Sequence, residues 1–121
     1  MAIHTILIVD DSPTERYYLS EMLVRAGYAV FTAQDGADAL AQLKQARPDL
    51  ILMDVVMPGA NGFQITRAIA RDPELQDVPV IICSSKSQET DRIWGLRQGA
   101  RDYLVKPVVE AELLAKIAAI S

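Results

Sequence analysis

The chain has one cysteine, one histidine and one tryptophan. It also has no apolar run of the ~18 residues a bilayer-spanning helix needs. A lone Cys83 excludes a disulfide framework within the chain. Set inside the apolar run "VIIC", it reads as a small buried thiol and suits a reducing compartment. No secretory signal opens the sequence, so the expected location is cytoplasmic, without membrane insertion. His4 stands at the start of the first strand, at the edge away from the acids described below, and reads as a surface or partly buried side chain. Basic residues are outnumbered and scattered. Twelve Lys and Arg against sixteen Asp and Glu give a formal net charge of −4. That balance favours solubility and argues against a nucleic-acid partner.

What is present is an ordinary globular composition over 121 residues, half of them apolar. That length fits one domain with a real core. No linker, repeat or low-complexity tail divides it.

Five strand candidates recur at even intervals: 4–9, 28–33, 50–54, 79–83 and 102–105. The first, third and fourth are continuously apolar, as strands covered on both faces are. Helical patterns fill the gaps. After Asp11, Ser12 can cap, Pro13 suits the first helical position and Glu15 stands third, which predicts a capping box. Leu19, Met22, Leu23 and Ala26 then share a face until Gly27 ends the helix. The second helix, about 36–46, is expected to turn Ala37, Leu40, Leu43 and Ala41 inward. The third spans about 62–71 with Phe63, Thr66, Ile69 and Ala70 inward. The fourth, about 87–98, carries Ile93, Trp94 and Leu96, with Gly95 weakening it slightly. The fifth starts near 110 with Leu113, Leu114, Ile117 and Ile120. The α/β alternation predicts a (βα)5 doubly wound, five-stranded parallel sheet in order 2-1-3-4-5, a flavodoxin-like three-layer sandwich.

In such a sheet, ligands bind beyond the carboxyl ends of the strands, near the point where strand order reverses. Asp10 and Asp11 follow strand 1, Asp54 follows strand 3, Ser84 follows strand 4 and Lys106-Pro107 follows strand 5. Three clustered carboxylates repel, and a hard divalent cation relieves them. Mg²⁺ suits oxygen donors. Asp11 and Asp54 are the expected direct ligands, with Asp10 acting through a water or by orienting Asp11 and the Val56 carbonyl adding an oxygen. An Asp carboxylate can attack phosphorus to form an acyl phosphate. The spread phosphoryl charge then needs neutralising, for which Lys106 and the Ser84 hydroxyl are placed. "MPGANG" just past Asp54 lets backbone approach a ligand closely. Trp94 is either a packing residue or an exposed partner anchor. Tyr103 is either a packing residue or an aromatic that shifts, through Ser84, when Asp54 is modified.

Together "ILIVDD", "LILMDVVMPGANG", "PVIICSS" and "GARDYLVKP" resemble the receiver domains of bacterial two-component response regulators (CheY-like), over essentially the whole chain. The stretches "DDSPTE", "MPGANGFQ" and "QETDRIWGLRQGARDYLVKPV" are similar to the stand-alone receivers of type IV pilus chemosensory systems. The resemblance implies a single receiver over 1–121 with no effector domain, not an enzyme on other substrates. Asp54 would accept a phosphoryl group from the phosphohistidine of a CheA-like kinase. Asp10 and Asp11 match the acidic pair, Lys106 the lysine, Ser84 the Ser/Thr position and Tyr103 the switch aromatic. Val56 and Lys86 would flank the approach of the hydrolytic water. Output would pass to a protein of the pilus or motility machinery, in twitching motility or phototaxis, from a monomer or weak dimer. A phosphate sink draining a shared kinase, or a phosphorylation-independent interaction module, are the rival readings. A small phosphatase is disfavoured because the short connections build no substrate cap.

Overall fold

The computed structural model describes residues 2–121. It alternates β1 (Thr5–Val9), α1 (Pro13–Arg25), β2 (Ala29–Ala33), α2 (Gly36–Gln45), β3 (Leu50–Met53), α3 (Gly62–Arg71), β4 (Val80–Ser84), α4 (Glu89–Arg97), β5 (Asp102–Val105) and α5 (Glu110–Ile120). All pairings are parallel, as the unbroken apolar runs predict, and the strand order is β2-β1-β3-β4-β5, the order expected of the doubly wound alternation. β3 and β4 are buried at every position. β2 is an edge strand with three of its five residues exposed, including Phe31.

Side chains alternate between two cores. On one face Val9, Met53, Ile82 and Tyr103 pack with Ala39 and Leu43 of α2, Ile65 and Ile69 of α3, and the half-buried Leu96 of α4. On the other, Ile6, Ile8, Leu52 and Ile81 pack with Leu19, Met22 and Leu23 of α1 and with Leu113 and Ile117 of α5. Three helices thus cover one face of the sheet and two the other.

Local signals set the helix starts. Ser12 Oγ accepts from the Glu15 N–H at 3.2 Å, half of the expected capping box. The return bond is replaced: Ser12 N–H donates to Asp10 Oδ1 at 2.9 Å. α3 carries a complete box, with Gln64 N–H donating to Asn61 Oδ1 at 3.0 Å and Asn61 N–H to Gln64 Oε1 at 2.8 Å.

Several inward assignments are corrected. Ala26 is exposed, because α1 ends at Arg25 and Ala26 only caps it. In α2 the inward face is Gly36, Ala39 and Leu43 with Leu40 half-buried, while Ala37 and Ala41 face out. Gly36 approaches α3 so closely that a Cβ there would lie 2.6 Å from Ile65 Cδ1. In α4, Ile93 and Trp94 are exposed and Gly95 is the buried residue.

The register positions the polar residues. Val9 pairs with Met53, and the ladder runs one residue further: Asp10 N–H donates to the Ala33 carbonyl and Asp54 N–H to the Val9 carbonyl. On the far side, Lys106 N–H donates to the Ser84 carbonyl at 2.9 Å. Asp10 and Asp54 therefore emerge side by side from adjacent central strands, held by sheet hydrogen bonds rather than by loops.

Candidate functional site

Asp10 is the most firmly held of the acids. Its Oδ1 accepts from Ser12 N–H, its Oδ2 from Lys106 Nζ at 2.7 Å, and its carbonyl from Arg16 Nη1 at 2.8 Å. It is 1% exposed. Lys106 Nζ also donates to Asp54 Oδ1 at 3.2 Å, so one ammonium bridges two carboxylates. The Lys106–Pro107 bond is cis. Asp11 is exposed at the mouth of the site. Carboxylate oxygens of Asp10, Asp11 and Asp54 lie within 4.8 Å of one another.

The electrostatics follow from this crowding. Burial, and then the charge of Asp10, push the Asp54 carboxyl above its ordinary value, against the opposing pull of Lys106. For Lys106, burial acts to lower the pKa. The hydrogen bond to Asp10 and the charges of Asp54 and Asp10 outweigh it, so the net shift is upward. Cys83 is the next-door strand neighbour of the site, and burial pushes its thiol up to about 12. It remains a neutral packing group.

The donor set fits a hard divalent cation. All three carboxylates offer oxygen, and Asp11 faces solvent, where Mg²⁺ keeps its waters. With both Asp10 carboxylate oxygens engaged, Asp11 and Asp54 are the freer ligands. The Val55 carbonyl accepts from Gly62 N–H at 2.9 Å. No hydrogen bond among the described residues uses the Val56 carbonyl, which leaves it available. The Val56 side chain is 60% exposed. Gly62 is required here: a Cβ on it would collide with the Asp54 carbonyl oxygen and lie 2.9 Å from Val55 Cα.

Ser84 is fully buried and its Oγ accepts from Lys86 N–H at 3.1 Å. Tyr103 is 7% exposed, and its hydroxyl donates to the Lys86 carbonyl at 2.7 Å. The backbone of Lys86 is thus held from both sides, by the two residues expected to move together. Burial raises the Tyr103 pKa. Trp94 is 49% exposed, on the outer surface of α4. Arg16, which holds the Asp10 backbone, was not legible as a site residue: an arginine in the first turns of a helix reads as surface charge.

Three acids and a lysine at the switch point of a 2-1-3-4-5 parallel sheet define a phosphoacceptor module, and comparison with known proteins agrees. The family described as the response regulator receiver domain matches residues 6–118. The chain belongs to that family, the non-enzymatic phosphoacceptor of two-component signalling, with a Mg²⁺-type acidic site and a cognate histidine kinase as partner. More particularly, it is 56% identical to Protein PilH of Pseudomonas aeruginosa over 115 residues, covering 95% of both chains. It is 39% identical to the phosphate regulon transcriptional regulatory protein PhoB of the same organism, covering 96% of this chain and 51% of that one. Among solved structures, Vibrio cholerae chemotaxis protein CheY4 superposes with a TM-score of 0.91 at 34% identity, covering 99% of this chain and 100% of that one. A response regulator from Chloroflexus aurantiacus gives 0.93 at 34%, covering 98% and 97%. No helix among the described residues is long and apolar enough to cross a membrane.

Proposed function

We propose that Asp54 is the phosphoacceptor, that Lys106 and Ser84 stabilise the transferred group, and that Asp10, Asp11, Asp54 and the Val56 carbonyl hold Mg²⁺. The observation that carries this reading is the single ammonium of Lys106 within hydrogen-bond distance of both Asp10 and Asp54. In the transfer, an Asp54 carboxylate oxygen forms a bond to phosphorus as the bond to the donor imidazole nitrogen breaks. Bound Mg²⁺ supplies neutralisation of the phosphoryl oxygens. The chain's own residues supply the rest: Lys106 bridges to the new charge, and the Ser84 hydroxyl turns toward a phosphoryl oxygen.

That turn removes the acceptor of Lys86 N–H. Tyr103, which holds the carbonyl of the same residue, then resettles with the β4–α4 loop. The pair thereby couples Asp54 to the α4 surface, where Trp94 is exposed. The receiver signals through phosphorylation-dependent protein binding. It works in the cytoplasm in a chemotaxis-like pathway controlling type IV pilus twitching motility or phototaxis, with a CheA-like kinase upstream and a protein of that machinery downstream. The motif likeness to pilus chemosensory receivers supports this placement.

The test is labelling with acetyl phosphate and Mg²⁺, read by intact-protein mass spectrometry. Wild type gains one phosphoryl group, whereas Asp54→Asn gains none. A label mapped to another side chain defeats the assignment.

A further inference from the structure

Away from the acidic rim, α3 and α4 flank a groove of about 370 Å³ lined by Arg67, Arg71, Trp94, Arg97 and Gln98. The chain as a whole is acidic, with a net charge of −4, yet no carboxylate lines this groove. Among the described residues, none of the three arginines forms an ion pair. By contrast, Arg92 on the same helix is paired with Glu89 at 2.6 Å. Arg71 and Arg97 lie in the last turns of their helices, where a cation complements the helix dipole. That accounts for neither Arg67, a turn earlier, nor the half-exposed indole. Trp and Arg are the residues most enriched at binding hot spots.

We propose that this groove docks a short acidic segment of a partner protein, its carboxylates on Arg67, Arg71 and Arg97 and an apolar side chain against Trp94. Charge complementarity selects the occupant: three guanidinium groups repel one another across the groove until carboxylates neutralise them. The groove suits a peptide segment rather than the broad face a stable dimer buries, about 800 Å² per partner. Three arginines on an acidic protein also fall short of the basic stripe that follows a nucleic-acid backbone. None of the groove residues takes part in the phosphoryl transfer itself.

Trp94 is the sole tryptophan, so intrinsic fluorescence reports on the groove. A random peptide library displayed on phage is selected against the full chain, and synthetic copies of the recovered peptides are titrated. Expected are peptides rich in Asp and Glu around an apolar residue, which shift Trp94 emission. Their affinity should fall about tenfold or more in Arg67→Gln/Arg71→Gln/Arg97→Gln and in the corresponding triple Glu variant. Both variants should keep the wild-type circular dichroism and acetyl phosphate labelling, which separates this proposal from the Asp54 assignment. Recovery of no binders, of non-acidic binders, or of peptides that bind the Gln variant equally well overturns it. So does arginine-dependent binding of a single-stranded oligonucleotide, or arginine-dependent self-association in sedimentation equilibrium, without binding of acidic peptides.

Discussion

Lys106 joins Asp10 and Asp54 through one ammonium, 2.7 Å from the first and 3.2 Å from the second. The lysine side chain is 16% exposed and the carboxylates less, so solvent cannot replace it. Removing one partner of a buried pair leaves the other charge uncompensated. Lys106→Met is expected to lose about 2–4 kcal/mol in urea unfolding at neutral pH. The Lys106 pKa is raised above 10.5. Its contribution is therefore intact at neutral pH and disappears only as pH rises through the native value. Phosphorylation by acetyl phosphate should slow at least about tenfold, since a developing charge loses its cation. Unchanged stability together with unchanged labelling would show that the bridge is incidental.

Val56 stands two residues past Asp54 with its side chain 60% exposed, and Lys86 is exposed two residues past Ser84. An apolar side chain beside an acyl phosphate offers an attacking water no hydrogen bond, whereas an amide does. Val56→Asn should therefore shorten the aspartyl-phosphate lifetime, by about tenfold for one well-placed hydrogen bond. Phosphate release followed after removal of the donor measures it, and an equal lifetime refutes the role.

Gly95 lies against the ring of Tyr103. A Cβ there would come 2.9 Å from Ile82 Cδ1 and 3.2 Å from Tyr103 Cδ2. Helix propensity alone favours Ala by about 1 kcal/mol, but crowding of a packed core opposes it by about 1–3 kcal/mol. Gly95→Ala should therefore fail to stabilise the fold, and should displace the Tyr103 ring and weaken its hydrogen bond to Lys86. A stabilised variant with unchanged Tyr103 side-chain NMR shifts would contradict this.

Gly95 also marks where sequence reading reaches its limit. The architecture was legible because strands buried on both faces are continuously apolar, and β3 and β4 are buried throughout. The acids were legible because charges at the ends of such strands need a reason. Helix faces were less so. α2 is rich in alanine, which marks inside and outside poorly, and its close approach to Ile65 at Gly36 is invisible in a periodic pattern. A glycine in a helix reads as a weakness in isolation and becomes the closest packing point only once the sheet is beside it. The arginine groove was hidden for a similar reason: Arg67 and Arg71 come from one helix and Arg97 from another.

At the opposite end of the sheet, Asp49 secures the start of β1. Its Oδ2 accepts from His4 N–H at 2.9 Å, Thr5 N–H at 3.0 Å and Thr5 Oγ1 at 3.2 Å. These bonds, led by the one from the His4 backbone, hold its pKa below 3.8. A depressed carboxyl contributes stability that is complete above its unfolded value and is lost as pH falls through the native one. Asp49→Ala should thus cost about 1–2 kcal/mol at neutral pH, discounting charged hydrogen bonds for partial exposure. The difference from wild type should shrink below pH 3.8 as Asp49 takes up its proton in both native and unfolded chains. Parallel urea titrations at neutral and acid pH measure it. A deficit that stayed constant across that range would mean that the side chain holds β1 by packing rather than by its charge.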